Sequence, residues 1–150
     1  MSKILIIGAG LFGCTIGYEL NKVGHQVTIV EKDSDIMMNA SKLNHNRVHF
    51  GYHYPRSLDT AKQSLDGLKY FTKHYIESMV SGFPNYYMVA KEDSNVTSVE
   101  YIEFCEKLKI NHEYDNFPPD NLVDKKLISS SIKVYEGIYD YVTLKRLVLN

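Results

Sequence analysis

Three glycines, Gly8, Gly10 and Gly13, set between two apolar stretches, constrain this chain more than anything else in it. Lys3-Ile4-Leu5-Ile6-Ile7 is a continuous β-favouring run, as expected of a parallel strand covered on both faces. From Leu11 to Val23 the chain is apolar on most sides, with Glu19, Asn21 and Lys22 clearly polar, and reads as a mostly buried helix. Lys22 suits the negative end of the helix dipole, and Gly24 is a natural left-handed stop. Gln26-Val27-Thr28-Ile29-Val30 follows as a second strand with Glu31 at its tip. The order predicts a Rossmann-like βαβ unit in an α/β fold.

Each glycine has its own physical reason. Gly8 allows the tight turn out of the first strand. Gly10 lacks a Cβ, so a pyrophosphate can approach the backbone, and Gly13 lets the helix pack closely on the strand. No Ser, Thr, Asp or Asn caps the helix start, so its first N–H groups need another acceptor, and a diphosphate is one. Glu31 stands where a carboxylate can accept ribose hydroxyls, and its charge disfavours a 2′-phosphate and hence NADP. A dinucleotide is the expected ligand, cradled by Gly8, Gly10, Leu11, Phe12, Gly13, Glu31 and Lys32. These residues alone do not separate FAD from NAD.

Other classes find little support. The 17 basic and 18 acidic residues give a net charge of -1, so no basic field points to nucleic acid. The first apolar run is too short for a signal-peptide core, and no stretch approaches a membrane span. A cytoplasmic protein without nucleic-acid or membrane partners is expected. Cys14 and Cys105 form no CxxC pair and read as buried free thiols. His45, His49 and His53 recur every four residues, but Gly51 and Pro55 break the helix that would align them, so no metal site is expected.

The stretch from Asp33 to Ser57 is polar, contains Asn, Ser, Arg and His, and lacks helical or strand periodicity. It is too long for a plain connection and is expected to be a ligand-binding loop. An NAD-binding domain would instead proceed quickly to another helix and strand. Here residues 3–33, with Gly17, Leu20, Gly24, Val27 and Glu31, resemble the N-terminal FAD motif of the D-amino-acid oxidase / glycine oxidase-like flavoproteins. Ala40-Ser41 with Asn44 and Arg47 is similar to that family's flavin-side loop. Gly137-Ile138-Tyr139-Asp140, followed by Leu144 and Leu147, resembles its return towards the FAD domain.

The resemblance implies an FAD-dependent oxidoreductase that oxidises a C–N bond of an amine or amino acid by hydride transfer to the flavin. Ser41, Asn44 and Arg47 would lie on the flavin side, and Arg47 would balance negative charge there. Some family members tether FAD through a histidine three positions after the loop serine. Asn44 stands at that place and His45 is one residue out of register, so FAD is expected to be non-covalent. Arg47, His49 and His53 are the candidate catalytic residues, and no general base is named. A small-molecule substrate is the expected partner.

Beyond the loop, the spacing of Leu58, Ala61, Leu65, Leu68, Phe71, Tyr75 and Met79 predicts a helix over 57–80. A strand is expected over 83–90. A second helix over 98–108 should show Val99, Ile102, Cys105 and Leu108 on one face. Residues 117–120 read as a turn, 129–131 as unassigned serines, and residues from 141 onward as a helix. The expected division is a cofactor-binding βαβ and loop over 1–55, then a region over 56–150 that begins an inserted substrate-side part. A doubly wound sheet needs more parallel strands than these. The reading is therefore an incomplete domain (a fragment, a split gene or a decayed copy), inactive alone, with a complementary C-terminal chain as a further partner. The rival readings are a sugar-nucleotide mutase-like flavoprotein, an NAD-dependent dehydrogenase and a non-catalytic nucleotide-binding or assembly subunit.

Overall fold

A computed structural model describes residues 1–149 and divides the chain into two compact units. One comprises Met1–Arg47 with Tyr139–Asn150, the other Val48–Ile138. The division thus falls at Arg47 rather than near residue 55, and the C-terminal segment belongs with the N-terminal unit. Among the described residues, no helix is long and apolar enough to cross a membrane.

In the N-terminal unit, β1 (Lys3–Ile7) and β2 (Gln26–Val30) pair in parallel from Lys3↔Gln26 to Ile7↔Val30. Helix α1 (Leu11–Lys22) joins them, and Gly24 at φ +91° turns the chain after it. The loop after Glu31 is mostly irregular, as the absence of periodicity predicts. It also contains a one-turn helix, α2 (Ala40–Leu43), and the short strand β3 (Arg47–Val48), which the sequence reading missed.

The other unit begins its regular structure with α3 (Leu58–Tyr75), whose Ser57 caps it by accepting the Thr60 N–H at 3.3 Å. The expected helix is too long at its C-terminal end. After Tyr75 come a 3-10 turn, Ile76–Ser78, and the strand β4 (Met79–Val80), so Met79 does not continue the helical stripe. Strand β5 (Asn85–Ala90) is followed by α4 (Ser98–Leu108), where Thr97 and Glu100 form a reciprocal capping box. Tyr101, Phe104 and Cys105 are buried, Ile102 and Leu108 pack partly buried against the same core, and Val99 is exposed, so the expected face holds at Ile102, Cys105 and Leu108 and is widened by Tyr101 and Phe104. Aromatic bulk decides the widening, because Tyr101 and Phe104 have more apolar surface to remove from water than a valine.

Strands β6 (Glu113–Tyr114) and β7 (Ile128–Val134) complete an antiparallel sheet in the order β5-β7-β6. The serines at 129–131 therefore lie inside a central strand, with Ser130 and Ser131 buried. Serine has little intrinsic preference for strands, and pairing on both edges overrides it. Tyr52, Ala61, Val89, Tyr101, Phe104, Cys105, Ile132 and Val134 form the core. Strand β8 (Gly137–Tyr139) then leads to α5 (Tyr141–Leu149). Both cysteines are free and buried, and burial pushes the Cys105 thiol up to about 12.

Glu136 is fully buried in the larger unit. Its carboxylate accepts the Phe50 N–H at 2.8 Å and the Tyr87 hydroxyl at 2.7 Å. Glu136→Ala strands both donors away from water and should destabilise the protein by about 2–5 kcal/mol. Glu136→Gln should cost less, because the Tyr87 hydroxyl can rotate to accept. Denaturant unfolding checks this, and a loss below about 1 kcal/mol for the alanine variant contradicts it.

Candidate functional site

The cradle is built by β1, the turn after it and the start of α1. Gly8 leaves the strand at φ +101°, a left-handed conformation that side chains resist, while its N–H donates to the Val30 carbonyl at 2.7 Å. A Cβ on Gly13 would lie 2.0 Å from the Gly8 carbonyl oxygen, so the helix approaches the strand too closely for any side chain there. Gly17 continues the close approach one turn later, where a Cβ would lie 2.8 Å from Ile29 Cδ1.

Gly10 is different. Its backbone is ordinary, φ -71° and ψ 178°, and a Cβ there would meet nothing within 4 Å. No contact among the described residues requires a glycine at this point. It is also the N-cap of α1, and no side chain caps that helix. Open space, an absent Cβ and uncapped N–H groups thus coincide at one helix mouth, where the dipole favours an anion. Leu11 is half-buried and Phe12 exposed in the first turn.

Glu31 points to this mouth. Its Oε2 accepts the Ala9 N–H at 2.7 Å, and its Oε1 accepts the N–H groups of Lys32 at 2.8 Å and Asp33 at 3.1 Å. These donors, Ala9 foremost, hold its carboxyl below the ordinary glutamate value of 4.5. A carboxylate has about four acceptor positions. With three taken, the geometry leaves Oε2 able to accept one ribose hydroxyl without releasing a backbone donor. Lys32 contributes its backbone N–H here, and its side chain is exposed.

A depressed pKa carries a definite sign. Glu31's contribution to stability is complete above 4.5 and is lost as pH falls through its lower folded-state value. Wild type and Glu31→Gln should therefore differ in Tm by a constant amount from pH 7 down to about 5, and converge only at lower pH. A gap that closes between pH 7 and 5 contradicts this.

The loop after Glu31 is tied back to the cradle within the same unit. The Met37 N–H donates to the Ala9 carbonyl at 2.9 Å, and Met37 is buried at φ +59°. Lys145 on α5 pairs with Asp35. The Tyr139 hydroxyl bridges the Ser41 carbonyl at 2.9 Å and Asn44 Oδ1 at 2.8 Å, and that same oxygen accepts the Asn46 N–H at 2.7 Å. Ser41 and Asn44 are thus gathered around Tyr139, and Arg47 is half-buried on β3. Sequence reasoning missed Met37 and Tyr139 as organisers of this loop. Only Asn46, at φ +53°, carried a readable signal, because asparagine tolerates the left-handed region.

His49 and His53 lie in the other unit. Their rings stack with centroids 5.1 Å apart, and Tyr54 meets them edge-on at 6.0 and 5.4 Å. His45 is exposed in the N-terminal unit.

Residues 3–139 match the family described as FAD dependent oxidoreductase (DAO). The chain is 38% identical over 89 residues to the FAD-dependent monooxygenase FPY4 of Fusarium mangiferae, covering 59% of this chain and 24% of that protein. Its fold superimposes on L-alpha-glycerophosphate oxidase from Mycoplasma pneumoniae, solved with FAD bound, with TM-score 0.76 and 21% identity, covering 99% of this chain and 41% of that one. Glycine oxidase from Geobacillus kaustophilus gives TM-score 0.75 at 16% identity, covering 96% of this chain and 42% of that one. The chain thus spans about a quarter of the length of the Fusarium relative and about two fifths of these structures. An open Gly10, an uncapped α1 and an oriented Glu31 fit the adenosine diphosphate portion of FAD, and with a match over nearly its whole length the chain belongs to the FAD dependent oxidoreductase (DAO) family.

Proposed function

We propose that this chain supplies the ADP-binding half of the cofactor site in an oxidoreductase that oxidises a C–N bond of an amine or amino acid. The observation that carries the cofactor half is Gly10, a glycine the protein's own packing does not need, at an uncapped helix mouth. In this reading the first-turn N–H groups of α1 take the diphosphate, and Glu31 orients the ribose. FAD is held without a covalent tether, since Asn44, with no ring nitrogen to form one, stands at the position of the tethering histidine. When bound, the flavin supplies the two-electron oxidation itself. Arg47 contributes positive charge on the flavin side.

The likeness to glycine oxidase supports the C–N assignment. The likeness to glycerophosphate oxidase favours a second reading, oxidation of a C–O bond. In the assembled enzyme, anaerobic addition of a small amino acid should bleach the visible flavin absorbance, whereas glycerol 3-phosphate should leave it. Bleaching by glycerol 3-phosphate alone would replace the first reading with the second. The 150-residue chain by itself is expected to bind FAD and to be bleached by neither.

A further inference from the structure

Asn46 has its backbone fully engaged and its side-chain amide unused. Its N–H donates to Asn44 Oδ1 at 2.7 Å, and its carbonyl accepts the Tyr139 N–H at 2.8 Å. Tyr139 is buried, and its hydroxyl bridges the Ser41 carbonyl and Asn44 Oδ1, which pins the segment that carries Asn46. The side chain is a different matter. Its Oδ1 is buried and accepts nothing, and among the described residues its Nδ2 donates to nothing. A polar atom shut away from water without a partner costs free energy that no contact in this loop offsets. Backbone conformation explains only part of the residue choice. At φ +53° asparagine is tolerated, but glycine is tolerated better and would bury no orphaned atom. The amide is therefore the part that a ligand would satisfy.

We infer that Asn46 reads the pyrimidine edge of the flavin, with Oδ1 accepting its N3–H and Nδ2 donating to a neighbouring ring carbonyl. A primary amide presents one acceptor and one donor side by side. The flavin edge presents the complement, a single N–H donor flanked by carbonyl oxygens. Asn46 as a whole is half-buried, so its side chain keeps an open side, and its terminal torsion is soft enough to turn either amide atom towards an incoming ring. The inference rests on the cofactor reading above, in which Ser41, Asn44 and Arg47 lie on the flavin side. Asn46 shares their Tyr139-held segment and directly precedes Arg47. It would be a specificity-determining residue for the isoalloxazine, separate from the glycines and Glu31 that take the ADP portion.

Asn46→Gly keeps the left-handed backbone and both main-chain hydrogen bonds while deleting the amide. The probes are ADP, FAD and FAD methylated at N3, each titrated calorimetrically into the full 150-residue chain and into the variant. The variant should bind FAD about tenfold more weakly than wild type, and ADP within about twofold of it. Wild type should bind the methylated cofactor about tenfold more weakly than FAD, whereas the variant should not distinguish the two. Three results would each overturn the inference. The variant could bind FAD as wild type does, or lose as much affinity for ADP, which would assign the amide to adenine or to the fold. The third is a methyl penalty that survives in the variant. A wild-type chain that binds neither ADP nor FAD overturns the cofactor reading and this inference together. ADP binding alongside any of the three overturns the inference alone.

Discussion

Gly10→Asp should fold at least as well as the wild type, yet bind FAD at least about 100-fold more weakly. Both halves follow from the same position. A Cβ at residue 10 meets no protein atom within 4 Å, so the backbone accepts a side chain there. Aspartate is among the best N-cap residues, and α1 has no side-chain cap, so the variant should gain a few tenths of a kcal/mol or more. The same carboxylate would stand where the diphosphate is expected. Two like charges about 4 Å apart at a partly screened site repel by about 4 kcal/mol, enough for roughly a thousandfold loss. Stability and binding should therefore move in opposite directions. A variant that is destabilised, or one that binds FAD as the wild type does, would show that the helix mouth serves packing and not a ligand.

Gly13→Ala should do the opposite and disrupt the fold itself. The atom it would strike, at 2.0 Å, is a backbone oxygen of the Gly8 turn, so no side-chain rotation relieves the clash. Strand and helix must separate, and a cost of about 3 kcal/mol or more is expected. Gly17→Ala is the graded comparison. Its nearest neighbour is the flexible end of Ile29 at 2.8 Å, so a loss of about 1–2 kcal/mol is expected. Hydrogen exchange across α1 and thermal unfolding measure both. Equal stability of Gly13→Ala and wild type would mean that the tight helix–strand contact does not exist in solution.

The parts of this architecture that were legible in the sequence are those ruled by local chemistry. The strand at Lys3–Ile7, the helix from Leu11, the stop at Gly24 and the second strand ending before Glu31 were all readable, because glycine placement and apolar continuity decide them without tertiary help. The helix at Ser98–Leu108 was readable for its length and for Ile102, Cys105 and Leu108 on its face, but not for the edge of that face. Which of Val99 or Tyr101 is buried depends on the sheet it packs against. The strand through Ser130 and Ser131 was invisible because pairing on both edges, not serine itself, makes it a strand. The same holds at the site. Glu31 could be placed at the cradle from its spacing, but the three N–H groups that orient it come from the turn and the loop together. Tyr139 is far from Ser41 and Asn44 in sequence, and only folding brings its hydroxyl to them.

Equilibrium titration of the wild-type chain with FAD and with NAD, followed by flavin fluorescence and by competition, tests the ligand assignment most directly. Saturable FAD binding that NAD fails to displace, and that Gly10→Asp abolishes, is the predicted result. Binding of NAD with none of FAD, or FAD uptake indifferent to the aspartate, would contradict it.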